Sequence, residues 1–131
     1  MIVVDSSVWI DYFNGKKTPQ TNWLDSSLGN IPIIVGDLIL TEVLQGFQND
    51  KDFKVARDLF LEMPIMEMGG RDLSIQSALN YRALRKKGAT VRKTIDVMIG
   101  TFCIHYRLPL LHDDRDFDPM VKFLGLKIVV P

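Results

Sequence analysis

Residues 1–9, MIVVDSSVW, decide how the rest of the chain is read. Ile2, Val3 and Val4 make a short β-branched run of the kind that forms a buried strand. Asp5 stands at its carboxyl end, the hydroxyls of Ser6 and Ser7 follow, and Trp9, Tyr12 and Phe13 then fall at helical spacing. A helix is expected from about Ser7 to Phe13, closed by Asn14-Gly15. A strand that feeds directly into a helix is the unit of an α/β fold. In such folds ligands bind outside the carboxyl ends of the strands, where Asp5 stands.

Working outward, the alternation continues. A helix is expected around Thr21–Leu28 and a strand over Ile31–Val35, with Pro32 among its first residues. Gly36-Asp37 reads as a turn with an N-cap. Leu40, Val43, Leu44 and Phe47 then repeat at helical spacing, as do Phe53, Ala56, Leu59, Phe60 and Met63. Asp72 is expected to cap a helix running to about Lys87 before Gly88, and another spans about Thr94–Tyr106 with Ile95, Ile99, Phe102 and Tyr106 on its buried stripe. Leu108–Leu111 reads as a strand, Asp118-Pro119 as the start of a short helix to Leu124, and Lys127–Val130 as a last strand. The fold class is therefore α/β: helices around a mostly parallel sheet of four to five strands.

With 131 residues, 47% of them hydrophobic and 24% charged, the chain fits one globular domain over residues 1–131. The formal net charge is zero, so no global field attracts nucleic acid, and such a partner needs a local basic patch. The single Cys103 lies in an apolar pattern and reads as a small core hydrophobe, which suits a reducing compartment. No apolar stretch reaches the length of a membrane span and the start lacks a basic signal region, so a cytoplasmic protein is expected.

Five acids fall where this alternation passes between strand and helix: Asp5, Glu42, Asp96, Asp114 and Asp116. Carboxylates gathered in one crevice repel each other and stay ionised only beside cations, and hard oxygen donors favour Mg²⁺ or Mn²⁺. Phosphodiester cleavage is the reaction this pattern suits, because the anionic substrate needs neutralised charge and an activated water. Ser6 and Ser7 are placed to orient a ligand or water while capping the first helix.

VDSSVWIDY (4–12), TEVLQG (41–46), LRKKGATVRKTIDVMIG (84–100) and LPLLHDDRDFD (108–118) together resemble the PIN-domain ribonucleases, specifically the VapC toxins of toxin-antitoxin pairs. Each motif alone is weak; the ordered set of four is specific. The resemblance implies a PIN-like three-layer α/β/α fold and a metal-dependent endoribonuclease acting on tRNA or rRNA through metal-activated water. It also implies a VapB-like antitoxin as inhibitor and a homodimer as the basic unit. By the same resemblance Asp5, Asp96 and Asp114 are metal ligands, Glu42 a further acid of the site, and Asp116 a second candidate for the fourth acid. Gly100 stands where the family usually has Ala, a change that costs a helix interior about 1 kcal/mol.

Other readings compete. An aspartyl-phosphate phosphatase also places an acid after its first strand, but it wants a second Asp two positions on, where this chain has Ser7. A PIN-like module that has lost cleavage would grip RNA or protein only, and then the clustered acids have no evident use. The segment Arg82–Lys93 carries Arg82, Arg85, Lys86, Lys87, Arg92 and Lys93 without an acid; it either tracks phosphates or is a solvated helix end. Trp9, Tyr12 and Phe13 suit core or partner contact more than base stacking, and His105 and His112 lack metal-pair spacing. Asp37, Asp72 and Asp118 are read as caps.

Overall fold

The structure, a computed structural model, describes residues 1–131. Its strands are β1 (Ile2–Val4), β2 (Ile33–Gly36), β3 (Ile65–Met66) and β4 (Leu110–Leu111). Its helices are α1 (Ser6–Phe13), α2 (Pro19–Ser27), α3 (Asp37–Leu44), α4 (Asp50–Leu61), α5 (Arg71–Lys86), α6 (Thr94–Tyr106) and α7 (Asp118–Leu124), with a 3₁₀ turn at Arg115–Phe117 before α7. The strands form one parallel sheet in the order β3-β2-β1-β4, in register Val3 to Ile34 and Val3 to Leu110.

That order carries the functional geometry. The chain steps from β1 outward to β2 and β3, then returns across the sheet to place β4 on the other side of β1. Right-handed crossovers therefore send α1–α4 to one face and α5 with α6 to the other. The direction reverses between β1 and β4, and the crevice outside the carboxyl ends of those two strands is the switch point where doubly wound sheets bind ligands. The Asp5 amide donates to the Leu111 carbonyl at 2.9 Å, so the two strand ends are tied at that edge.

The β1 and β2 side chains are buried, and with Trp9, Phe60, Phe102, Phe117 and Met120 they belong to one core of 24 residues. Burying each large apolar side chain contributes about 1.5–3 kcal/mol, and this core draws on both helical layers. Trp9 is fully buried, with its ring 4.9 Å from Phe60 and 5.8 Å from Phe13, so this aromatic group is core. Cys103 is buried as well, and burial pushes its thiol up to about 12.

Several elements differ from expectation, each for a local reason. β3 gives no sequence signal because it is two residues long and partly exposed, and it is recruited by pairing with the end of β2. Pro32 lies outside β2, where its carbonyl accepts the Ile2 amide at 3.1 Å. The expected last strand shrinks to a single bridge between Leu110 and Ile128; it lies at the sheet edge with Val130 largely in solvent, so nothing extends the ladder. α6 does not bury one stripe. Asp96, Val97, Ile99, Gly100, Thr101, Phe102 and Cys103 are all buried while Tyr106 is 45% exposed, because α5, α7 and α3 enclose the helix.

Two glycines are sites of close approach. A Cβ on Gly36 would run into the Met68 side chain, and one on Gly100 into Met120. Gly100 thus makes room for a core methionine, and the penalty read from helix propensity is offset by packing. Asp37 is not a cap: Gly36 holds the N-cap position, and the Asp37 carboxylate accepts the Met68 amide at 3.0 Å, fastening the segment after β3 to the start of α3. Asp72 likewise lies within the first turn of α5, behind Gly70 at the N-cap.

Candidate active site

Asp5 terminates β1 with an extended backbone and is the N-cap of α1. Its Oδ2 accepts the Ser7 amide at 3.0 Å and the Ser7 hydroxyl at 2.7 Å. The other oxygen, Oδ1, is buried with no hydrogen-bond partner. The residue is only 2% exposed, and burial holds its carboxyl above the ordinary value, against the opposing pull of the Ser7 bonds and of His112. The Ser7 hydroxyl also accepts the Asp113 amide at 3.1 Å, so one side chain joins the end of β1 to the loop after β4.

Glu42 comes from the last turn of α3 and is half-buried. Ser6 Oγ donates to its Oε1 at 3.1 Å, a contact across 36 residues. Burial raises the Glu42 carboxyl, with Asp5 adding to the rise and Ser6 and Lys93 opposing it.

Asp96 sits in the first turn of α6 and is 4% exposed. Its Oδ2 is a second buried oxygen without a partner. Burial, then Asp5, Asp114 and Glu42, push this carboxyl up to about 7, with Lys93 the opposing charge. Four acids from β1, α3, α6 and the β4 loop therefore feel one another. Desolvated like charges at such separations favour the protonated form unless a cation replaces the proton.

The β4 loop supplies the remaining carboxylates. Asp114 caps the 3₁₀ turn, its Oδ1 accepting the Asp116 amide at 2.9 Å, and its own amide donates to His112 Nδ1 at 3.2 Å. Asp116 Oδ2 accepts from Arg92 Nε at 3.4 Å. Asp96, Asp114 and Asp116 each offer a carboxylate oxygen within 4.8 Å of the others. Asp5 stands outside this tight trio, which pairs Asp96 with both acids of the loop. Asp114 and Asp116 also line the mouth of the site, a depression of about 780 Å³ without a hydrophobic residue, edged by Gln20, Arg92, His112 and Asp118.

All five sequence-chosen acids thus converge on the β1/β4 edge. Ser6 and Ser7 hold two of them, and the cap of α1 is Asp5 itself. Asp113 is exposed, and its bond to Ser7 is made by its backbone amide. Lys93, the counter-charge of Asp96 and Glu42, and Gln20 at the mouth had no individual signal; Lys93 was only one cation of a basic run. A donor set of hard oxygens, two of them buried and unsatisfied, fits a divalent cation such as Mg²⁺ or Mn²⁺.

The family model of the PIN domain matches residues 2–122. VapC ribonuclease Mb1587 of Mycobacterium bovis and ribonuclease VapC11 of Mycobacterium tuberculosis are each 26% identical to the chain over 129 residues, covering 97% of it and 96% of their own length. Among solved structures, VapBC2 from Rickettsia felis bound to a promoter DNA fragment superposes with a TM-score of 0.76 at 16% identity over 98% of both chains. VapC20 of Mycobacterium tuberculosis, a toxin that cleaves the sarcin-ricin loop, gives 0.73 at 16% identity over the whole of both chains. At these identities the superpositions bear on the fold.

Proposed function

The chain belongs to the PIN domain family, and on that footing we propose that it is a divalent-metal-dependent endoribonuclease, the toxin of a VapBC-type pair. The observation that carries this reading is the trio of Asp96, Asp114 and Asp116 carboxylates within 4.8 Å at the sheet switch point. The likeness to ribonucleases along nearly the whole chain supports the reaction class. The substrate in this reading is tRNA or rRNA, the inhibitor a VapB-like antitoxin, the working unit a homodimer of one-domain chains, and the compartment the cytoplasm. No helix is long and apolar enough to cross a membrane.

Asp96, Asp114 and Asp116 would hold the cation, Mg²⁺ or Mn²⁺, with the unpaired Asp5 Oδ1 as a further donor. Such a cation supplies charge neutralisation for a phosphodiester and lowers the pKa of water. The chain's own groups do the rest. Ser7 locks the Asp5 carboxylate, Ser6 orients Glu42, and Lys93 offsets part of the clustered charge. Glu42 is half-buried, outside the trio and raised above its ordinary value, so it is the acid suited to accept a proton from the attacking water. An inactive module that only grips a partner is disfavoured, because clustered, desolvated acids are costly and have no role there.

The test is cleavage of total cellular RNA by the purified chain with Mg²⁺ or Mn²⁺. Discrete fragments that disappear with EDTA and in Asp5→Asn and Asp96→Asn are expected. Absence of fragments from a folded, antitoxin-free protein in either metal would count against a nuclease.

A further inference from the structure

Beside α6, on the flank turned away from the carboxylate crevice, lies a groove of about 430 Å³ between α5 and α6. Its chemistry differs from that of the crevice. Tyr81, Arg82 and Arg85 line one wall and Thr94, Val97 and Met98 the other, and no acid lines it. Neither arginine has a carboxylate partner, a state they share with Arg107 and Arg115 but not with Arg57, Arg71 and Arg92. The Arg85 guanidinium lies 5.9 Å from the centroid of the Tyr81 ring. An aromatic ring and a guanidinium plane are the two surfaces on which unpaired bases stack. The volume falls within the range of small-ligand sites, roughly 300–1,000 Å³.

The groove and the carboxylate crevice flank the first turn of α6 on opposite sides. Thr94, Val97 and Met98 occupy one face of the helix, and Asp96 projects from the opposite side of the same first turn. A helix with its side chains is roughly 10 Å across, so a polynucleotide strand passing over the α6 N-terminus reaches both. The loop from α5 to α6 pairs Arg92 with Asp116 and places Lys93 where its charge opposes the rise of the Asp96 and Glu42 carboxyls. Arg82 and Arg85 thus stand on the groove side of α6, and Arg92 and Lys93 on the crevice side.

We propose that the α5–α6 groove is a nucleotide subsite for single-stranded RNA: a base flanking the scissile phosphate stacks on the Tyr81–Arg85 pair while Arg82 and Arg85 hold the adjoining phosphates. The inference rests on the ribonuclease reading and deepens it. It assigns substrate choice to unpaired loop segments, whose bases are free to leave the helix stack, and it gives Tyr81 a role in selecting them. The unpaired arginines and the absence of acid favour an anionic strand over a second copy of this chain as the occupant.

The experiment measures fluorescence anisotropy of a labelled random single-stranded RNA 12-mer on the full chain, in EDTA so that no cleavage occurs, across a salt series. Cleavage of total RNA by the wild type is assayed separately with Mg²⁺. Tyr81→Ala is expected to bind roughly 5- to 150-fold more weakly, the loss of one stacked base, with Tyr81→Phe restoring affinity. Arg82→Ala with Arg85→Ala is expected to flatten the slope of log affinity against log salt by about 1.4, near 0.7 for each phosphate contact. Lys54→Ala, exposed on α4, serves as the control for general charge. The mass of each variant in solution is measured alongside. Binding by both groove variants within twofold of wild type overturns the subsite and leaves the nuclease reading standing if the wild type cleaves. A change in mass shows that a second copy covers the groove and likewise overturns it. A wild type that neither binds nor cleaves RNA strikes the ribonuclease reading itself.

Discussion

The Ser7 hydroxyl donates to Asp5 Oδ2 at 2.7 Å while it accepts the Asp113 amide at 3.1 Å, so a single oxygen couples the strand-end acid to the loop that carries Asp114 and Asp116. Ser7→Ala removes both contacts. The expected outcome is a loss of roughly 10- to 100-fold in cation affinity or cleavage rate, typical of groups that orient metal ligands. The accompanying loss of stability is about 1–2 kcal/mol. Parallel cleavage assays and denaturant titrations check this, and an unchanged rate would remove Ser7 from the site's support.

Asp96 links stability to pH. Its folded value of about 7 lies above the roughly 3.9 of an unfolded aspartate. A raised carboxyl binds its proton more tightly when folded, so its contribution is complete below about pH 4 and is lost as pH rises through about 7. The cation-free protein should therefore become less stable between pH 5 and pH 8. Asp96→Asn should flatten that dependence and stabilise the cation-free protein at pH 8 by on the order of 1–4 kcal/mol while abolishing cleavage. Denaturant midpoints across this range, measured in EDTA, decide the sign.

Adding a divalent cation should do what protonation does. Mg²⁺ or Mn²⁺ at 100 times its dissociation constant stabilises the folded chain by about 2.7 kcal/mol. The gain should be larger at pH 8 than at pH 5, because protons compete for the same oxygens. Asp114→Asn and Asp116→Asn should each weaken it, since both belong to the trio with Asp96. Thermal melting with and without cation reads this out, independently of cleavage.

Gly100 and Met120 form a size-matched pair. Gly100→Ala gains about 1 kcal/mol in helix propensity but overpacks a fully buried methionine, at a cost of about 1–3 kcal/mol. A net destabilisation of up to about 2 kcal/mol is expected. Combining Gly100→Ala with Met120→Ala should cost less than the sum of the two single changes, because the second change removes the clash. A double-mutant cycle by denaturant unfolding measures that coupling.

How far the chain could be read follows the same physics residue by residue. α1 and α3 announce themselves because their apolar positions repeat at helical spacing, β1 because it is an unbroken β-branched run, and α5 because an acid opens it and Gly88 closes it. β3 does not, since two half-exposed residues hold no period and Ile65 pairs only because β2 is beside it. α6 misled for the opposite reason: packed from several sides, it has no polar face, and a stripe chosen from its sequence misplaces Tyr106. Asp37 resembled a cap because an acid at a helix start usually is one; its true partner, the Met68 amide, is 31 residues away.

The α/β alternation, the parallel sheet and the five acids were legible in the linear chain, because local spacing and residue chemistry carry that information. That Asp116 joins Asp96 and Asp114 while Asp5 stands outside the trio was not. The return of β4 to the far side of β1 brings Asp114 and Asp116 to Asp96, and the fully packed α6 desolvates Asp96 and lifts its carboxyl toward neutrality. The roles of Ser6, Ser7 and Lys93, and the groove that pairs Tyr81 with two unengaged arginines, likewise come from long-range packing. Burial and through-space charge depend on distances between residues far apart in sequence, and only the folded chain sets those distances.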